Sequence, residues 1–132
     1  MTTTMEKKAT RFQKLCEPGQ IGSVKLKNRM FKTAAGSTLG DGSGMVTQKH
    51  RAFYGALARG GLGLVIVEHC SIEPEVQNIS TGGGTFLHLD NDKYIPSLKG
   101  LTDLIHQYDC RAFVQLQAGG ATTSRPDGHP VS

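Results

Sequence analysis

Apolar residues recur along the chain first at helical and then at strand spacing, and the sequence does this twice. From Gln48 to about Ala58 the apolar positions are Phe53, Ala56 and Leu57, three and four residues apart as on one helical face, with Thr47 placed to cap the helix. Gly60 and Gly61 stop that helix, and the run from Leu62 to Val67 is apolar throughout apart from Gly63. A strand apolar on both faces belongs to a parallel sheet with helices on each side. The pattern returns at Ile95, Leu98, Leu101, Leu104, Ile105 and Tyr108, with Asp92 as cap and Pro96 in an early turn, where proline is tolerated. Tyr108, Asp109 and Cys110 end this second helix, and Arg111 to Leu116 supplies another strand, finishing at Gln115, Leu116 and Gln117.

Ahead of these units, Ile21 to Leu26 reads as two short strands around a Gly-Ser turn. Met30 to Ala34 follows as the first strand of the main sheet, with Lys32 in its middle. Gly36 to Gly44 is a glycine-rich loop, Glu73 to Asn91 a polar connection longer than the usual βα link, and Ala118 to Ser132 a loop without periodicity. The order hairpin, strand, helix, strand, helix, strand predicts an α/β protein. It opens either a (β/α)8 barrel or a doubly wound sheet, and topology leaves both open. No dinucleotide fingerprint follows the first strand, because Met45 stands where the third glycine after Gly40 and Gly42 belongs.

Composition narrows the partners. The 132 residues suit one domain, and 37% hydrophobic with 20% charged residues and a mean hydropathy of -0.29 permit a core. No apolar run approaches the ~20 residues of a membrane span. Residues 1–14 are polar and lack the apolar centre of a secretory signal, so they read as a disordered lead-in to a cytoplasmic protein. Cys16, Cys70 and Cys110 are odd in number and widely spaced, which suits buried free thiols better than disulfides or a metal site. The net charge of +4 is spread over scattered positions such as Lys25, Lys27, Arg29 and Lys32, which argues against nucleic acid.

Several segments together resemble the old yellow enzyme-like NADH:flavin oxidoreductases. They are Ile21-Gly22, Leu26-Lys27-Asn28-Arg29, Gly61 to Glu68, Ser71-Ile72-Glu73-Pro74 and Val114-Gln115-Leu116. Glu68, Cys70, Ser71, Ile72, Pro74 and Gly119-Gly120-Ala121 are most similar to the trimethylamine dehydrogenase and 2,4-dienoyl-CoA reductase branch. The resemblance implies a TIM barrel that binds FMN, takes hydride from NADH or NADPH, and passes it to an unsaturated or amine substrate. Residues 15–132 are then the first part of that barrel, a hairpin with about three strands and two helices, where a whole barrel takes about 250 residues. An amino-terminal fragment is expected, and the competing reading is a non-catalytic remnant or a module completed by a partner chain or a second copy.

The resemblance also assigns residues. Ala34, Ala35, Gly36, Cys70 and Gln115 fall at flavin-contacting positions, and His69 and Gln117 at substrate-facing ones. A primary amide offers a donor beside an acceptor, which suits the pyrimidine edge of a flavin. On its own residues Gln115 reads as a polar strand end satisfied by backbone, and His69 and Cys70 read equally as a hydrogen-bonded strand end and a buried thiol. Gly36 stands where trimethylamine dehydrogenase carries its flavin-linked cysteine, so covalent attachment there is excluded. His69 replaces a tyrosine of that enzyme's ammonium cage, which disfavours trimethylamine as substrate. Glu68 reads as a partner for a nearby cation or backbone amide and carries no catalytic assignment.

Overall fold

A computed structural model describes residues 12–73, 77–78, 86–118 and 123–124, with backbone alone at 77–78 and 123–124. A single helical turn, α1 (Gln13–Cys16), leads into the antiparallel hairpin of β1 (Gly19–Ile21) and β2 (Val24–Leu26). Gly22 turns the hairpin at φ 56, a left-handed conformation that glycine adopts without steric cost. There follow β3 (Phe31–Lys32), α2 (Gln48–Arg59), β4 (Leu64–Ser71), β5 (Gln77–Asn78) and β6 (Leu87–His88). A 3-10 turn over Asp92–Tyr94 then enters α3 (Ile95–His106), and β7 (Arg111–Gln117) and β8 (Thr123–Ser124) complete the elements.

The long strand β4 organises the sheet. β3 lies parallel to its start, Phe31 opposite Leu64, and β7 runs parallel along its whole length from Leu64↔Arg111 to Ser71↔Gln117. β6 pairs with the far end of β4, Cys70 opposite Leu87, and occupies the side that β3 leaves after two residues. β5 and β8 form a separate antiparallel pair. Both helices cover one face of the sheet: Tyr54 and Ala58 of α2 and Leu101 and Ile105 of α3 pack with Val65, Val67 and Cys70 of β4, Leu87 and Cys110. This parallel α/β arrangement is the one expected, and the hairpin, both helices and both long strands stand where the pattern puts them.

The differences have local causes. Of the predicted apolar face of α2 only Leu57 packs against the core, since Phe53 and Ala56 are exposed and the buried residues are His50, Tyr54 and Ala58. Two polar residues that find partners under the helix displace the apolar ones. β3 keeps only two of the five residues expected, and its Lys32 ammonium sits 5.4 Å from the Tyr54 ring centroid, bonded to the Thr33 carbonyl. Burial lowers the Lys32 pKa, and the Glu68 carboxylate partly offsets it. Asn91, not Asp92, caps the turn before α3 by accepting from the Lys93 N–H at 3.0 Å. Ile95 is exposed rather than part of the buried face. The connection after β4 contains β6, whose pairing with β4 no propensity signals. Cys70 and Cys110 are buried free thiols as expected, but Cys16 is exposed. Of the lead-in, residues 1–11 lie outside the described residues, while Gln13 and Lys14 are helical. In the closing loop, residues 119–122 and 125–132 also lie outside them, and Thr123–Ser124 form β8.

Candidate functional site

One irregularity in β4 decides which side chains face the end of the sheet. The register with β7 advances from Val67↔Val114 to His69↔Gln115, so Glu68 is an extra residue, a β-bulge. Side chains alternate along a strand, and Val65 and Val67 point toward the helices. After the bulge Cys70 points there again, so the opposite face carries Ile66 and then His69 and Ser71. Their partners across the parallel ladder are Phe113, Gln115 and Gln117. An unbroken strand would instead turn Glu68 to that face and His69 into the core.

His69 is the hinge of this cluster. Gly36, in the loop after β3, approaches so closely that a Cβ there would stand 3.2 Å from the imidazole Cε1. The ring of Phe86 lies 4.3 Å from that of His69, centroid to centroid, at 53°. The His69 Nε2 is buried with no hydrogen-bond partner among the described residues. Gln115, on the adjacent strand, is exposed and its amide makes no hydrogen bond among those residues. Ala34 and Ala35 lead into Gly36 beyond the last β3–β4 pair, and no loop hydrogen bond among the described residues engages the backbone of the three. At the opposite end of the sheet a hollow is lined by Gly19, Gln20, Ile21, Leu26, Arg29 and Phe31, remote from this cluster.

Cys70 requires a correction. Its thiol is fully buried in the core between sheet and helices and contacts the Glu68 carbonyl at 3.6 Å, so it faces away from His69 and Gln115 and cannot touch a ligand at their face. Burial pushes its pKa up to about 12, with the nearby Glu68 carboxylate adding to the rise. The other residues expected at the site, Ala34 to Gly36, His69, Gln115 and Gln117, fall on the C-terminal ends of three adjacent parallel strands or just beyond them.

Behind them lies a network that apolar periodicity does not reveal. The Glu68 carboxylate is 1% exposed and accepts hydrogen bonds from His50 Nε2 at 2.7 Å, from Ser37 Oγ at 2.7 Å and from the Ser37 backbone N–H. His50 Nδ1 accepts from the Thr47 N–H at 3.1 Å while the Thr47 hydroxyl oxygen accepts from the His50 N–H at 3.3 Å, a reciprocal cap on α2. With Nδ1 accepting, the ring proton that is donated to Glu68 sits on Nε2. The Glu68 backbone N–H donates to the Tyr54 hydroxyl at 2.9 Å. Burial pushes the Tyr54 pKa up to about 12, against the lowering effect of that bond. Thr47 and His50 have cap spacing, and His50 and Tyr54 are one helical turn apart; that was the only sequence signal for these residues. Among the described residues no group of three or more His, Cys, Asp or Glu could hold a metal ion, and no helix is long and apolar enough to cross a membrane.

Parallel strands with polar groups at their C-terminal ends and helices covering one face are arranged as in part of a (β/α) barrel. The chain belongs to the NADH:flavin oxidoreductase / NADH oxidase family, whose sequence model matches residues 14–130. It is 32% identical over 116 residues to an NADH oxidase of Thermoanaerobacter brockii, covering 87% of this chain and 17% of that protein. It is 34% identical over 114 residues to an NADPH dehydrogenase of Listeria welshimeri, covering 86% of this chain and 32% of the relative. The fold is similar to that of 6-hydroxypseudooxynicotine amine oxidase from Pseudomonas geniculata N1, with TM-score 0.75 and 29% identity over 91% of this chain and 17% of that one. The chain therefore spans about a sixth to a third of the length of these relatives, and its architecture is part of a (β/α)8 barrel of the old yellow enzyme kind. FMN, reduced by NADH or NADPH, is the cofactor of that family.

Proposed function

We propose that this chain forms one wall of an FMN site in an oxidoreductase that moves hydride from NADH or NADPH to an unsaturated or amine substrate. The observation that carries the reading is the alignment of Gly36, His69 and Gln115 across three neighbouring strand ends, with His69 Nε2 without a partner among the described residues. A buried polar atom without a partner costs free energy unless a ligand satisfies it. The donor set fits the group: a primary amide at Gln115 and loop backbone at Ala34 to Gly36 that no partner among the described residues engages, and no side chain at Gly36 to block close approach. Bound there, FMN supplies the capacity to accept and return a hydride. Gln115 orients the ring by pairing with its pyrimidine edge, the Ala34 to Gly36 backbone lies along its reactive edge, and His69 and Gln117 face the substrate.

A second reading has its own support. β7 pairs only with β4 among the described residues, and its Val114 and Leu116, on the helix side of the sheet, are 40% and 59% exposed. An apolar strand at a sheet edge favours cover by further chain. On this reading residues 15–132 are a module completed by a partner chain or a second copy, or a non-catalytic remnant, in a cytoplasmic protein. The visible spectrum of the purified protein separates the two. An absorbance band near ~450 nm and consumption of NADH or NADPH support the first, whereas a colourless protein that stays so after incubation with FMN sinks it.

A further inference from the structure

Glu68, His50 and Tyr54 form a buried hydrogen-bonded unit that the part-buried Ser37 completes, and it adjoins His69 and Gly36 through the backbone. It joins α2, the bulge in β4 and the loop after β3. A carboxylate taken out of water is tolerated only when donors surround it, and Glu68 has three. The bulge also frees one backbone amide from the ladder, and the Tyr54 hydroxyl satisfies it at 2.9 Å. Both halves of the bulged residue are thus held by α2, and the loop residue after Gly36 is held by the same carboxylate.

We propose that this unit is a positioning device for the flavin face. Tyr54 and His50 hold the bulge, the bulge turns His69 out of the core, and Ser37 holds Gly36 against the His69 imidazole. His69 points outward because Glu68 points inward. The proposal deepens the flavin-site reading and depends on it only for the ligand measurement below.

The test uses the full-length protein and histidine NMR, together with FMN dissociation constants from quenching of flavin fluorescence. Tyr54→Phe removes one hydroxyl beneath the bulge, and Gly36→Ala adds a methyl group 3.2 Å from His69 Cε1. The expected result is that Tyr54→Phe and His50→Leu move the His69 ring resonances, while His50→Gln, whose amide still donates to Glu68, leaves them near the wild-type positions. Tyr54→Phe and Gly36→Ala each weaken FMN binding, and the double variant stays within about twofold of the weaker single one, where independent sites multiply. Unmoved His69 resonances in Tyr54→Phe and His50→Leu, with lower thermal stability alone, overturn the proposal, as do effects on FMN binding that multiply. Wild-type protein that binds no FMN sinks the flavin reading instead, and the resonances, recorded without flavin, still decide the positioning role.

Discussion

Gln115 and Cys70 show how much a single position depends on the face it takes. Gln115 pairs with His69 on the face away from the helices, and Cys70, one residue further along β4, is sealed in the core. Replacing Gln115 by Leu keeps the size of the side chain and removes both hydrogen-bonding groups. Flavin affinity is expected to fall by about 1–3 kcal/mol, roughly five- to 150-fold, with the melting temperature of flavin-free protein little changed because the residue is exposed. Unchanged flavin affinity, measured by equilibrium dialysis, counts against Gln115 as a contact. The resemblance assigns both residues to the flavin, but Cys70, adjacent to His69 in sequence, has its side chain on the opposite face.

Among the elements, the seam between the hairpin and the starts of the strands is closely packed. Asn28 donates from Nδ2 to the Gly61 carbonyl at 2.7 Å and accepts at Oδ1 from the Met30 N–H at 3.1 Å. The Gly63 N–H donates to the Met30 carbonyl, and the Arg111 N–H donates to the Gly63 carbonyl. A Cβ on Gly63 would stand 2.6 Å from the Asn28 carbonyl oxygen, which is backbone and cannot swing aside. Gly63→Ala is therefore expected to lower stability by about 1–3 kcal/mol, seen as a lower urea midpoint. Gly61→Ala, where no atom lies within 4 Å of the added carbon but φ is 102, tests backbone strain separately from this clash. Gly60 and Gly61 were legible as a helix stop, whereas the close approach at Gly63 was not, because it depends on a residue 35 positions earlier meeting the turn.

For the whole molecule, the core between the helices and the sheet holds Tyr54, Cys70 and Cys110 toward their neutral forms by burial. Tyr54 is raised from 10.0 and Cys70 from 9.0, each to about 12, chiefly by burial. Since the folded pKa exceeds the unfolded one, the native state binds more protons between those values. The stabilisation is complete below pH 9, and it declines as pH rises toward 12. Urea titrations across that window are expected to show a falling midpoint, and Tyr54→Phe, though less stable at neutral pH, declines less steeply above pH 10. A midpoint flat from pH 9 to 12 contradicts the burial of Tyr54 and Cys70. The same packing leaves Val114 and Leu116 outside, since α2 and α3 cover the sheet up to β4 and the near side of β7.

Apolar spacing alone determined the α/β class, the two helices with their long strands, and the hairpin ahead of them, because each rests on local periodicity and on glycine or proline punctuation. The resemblance added the family and the strand-end positions of Gly36, His69 and Gln115. Only the tertiary structure decided which face each of those residues takes. One extra residue at Glu68 reverses the alternation of β4, and its cause is not local: the bulge is held by Tyr54 and His50 from a helix and by Ser37 from a loop. Polar residues buried under α2 carry no apolar signal, so periodicity selected Phe53 and Ala56 in their place. A hydrogen bond between distant segments forms only once the chain has packed, and here such bonds determine which side chains face the proposed flavin.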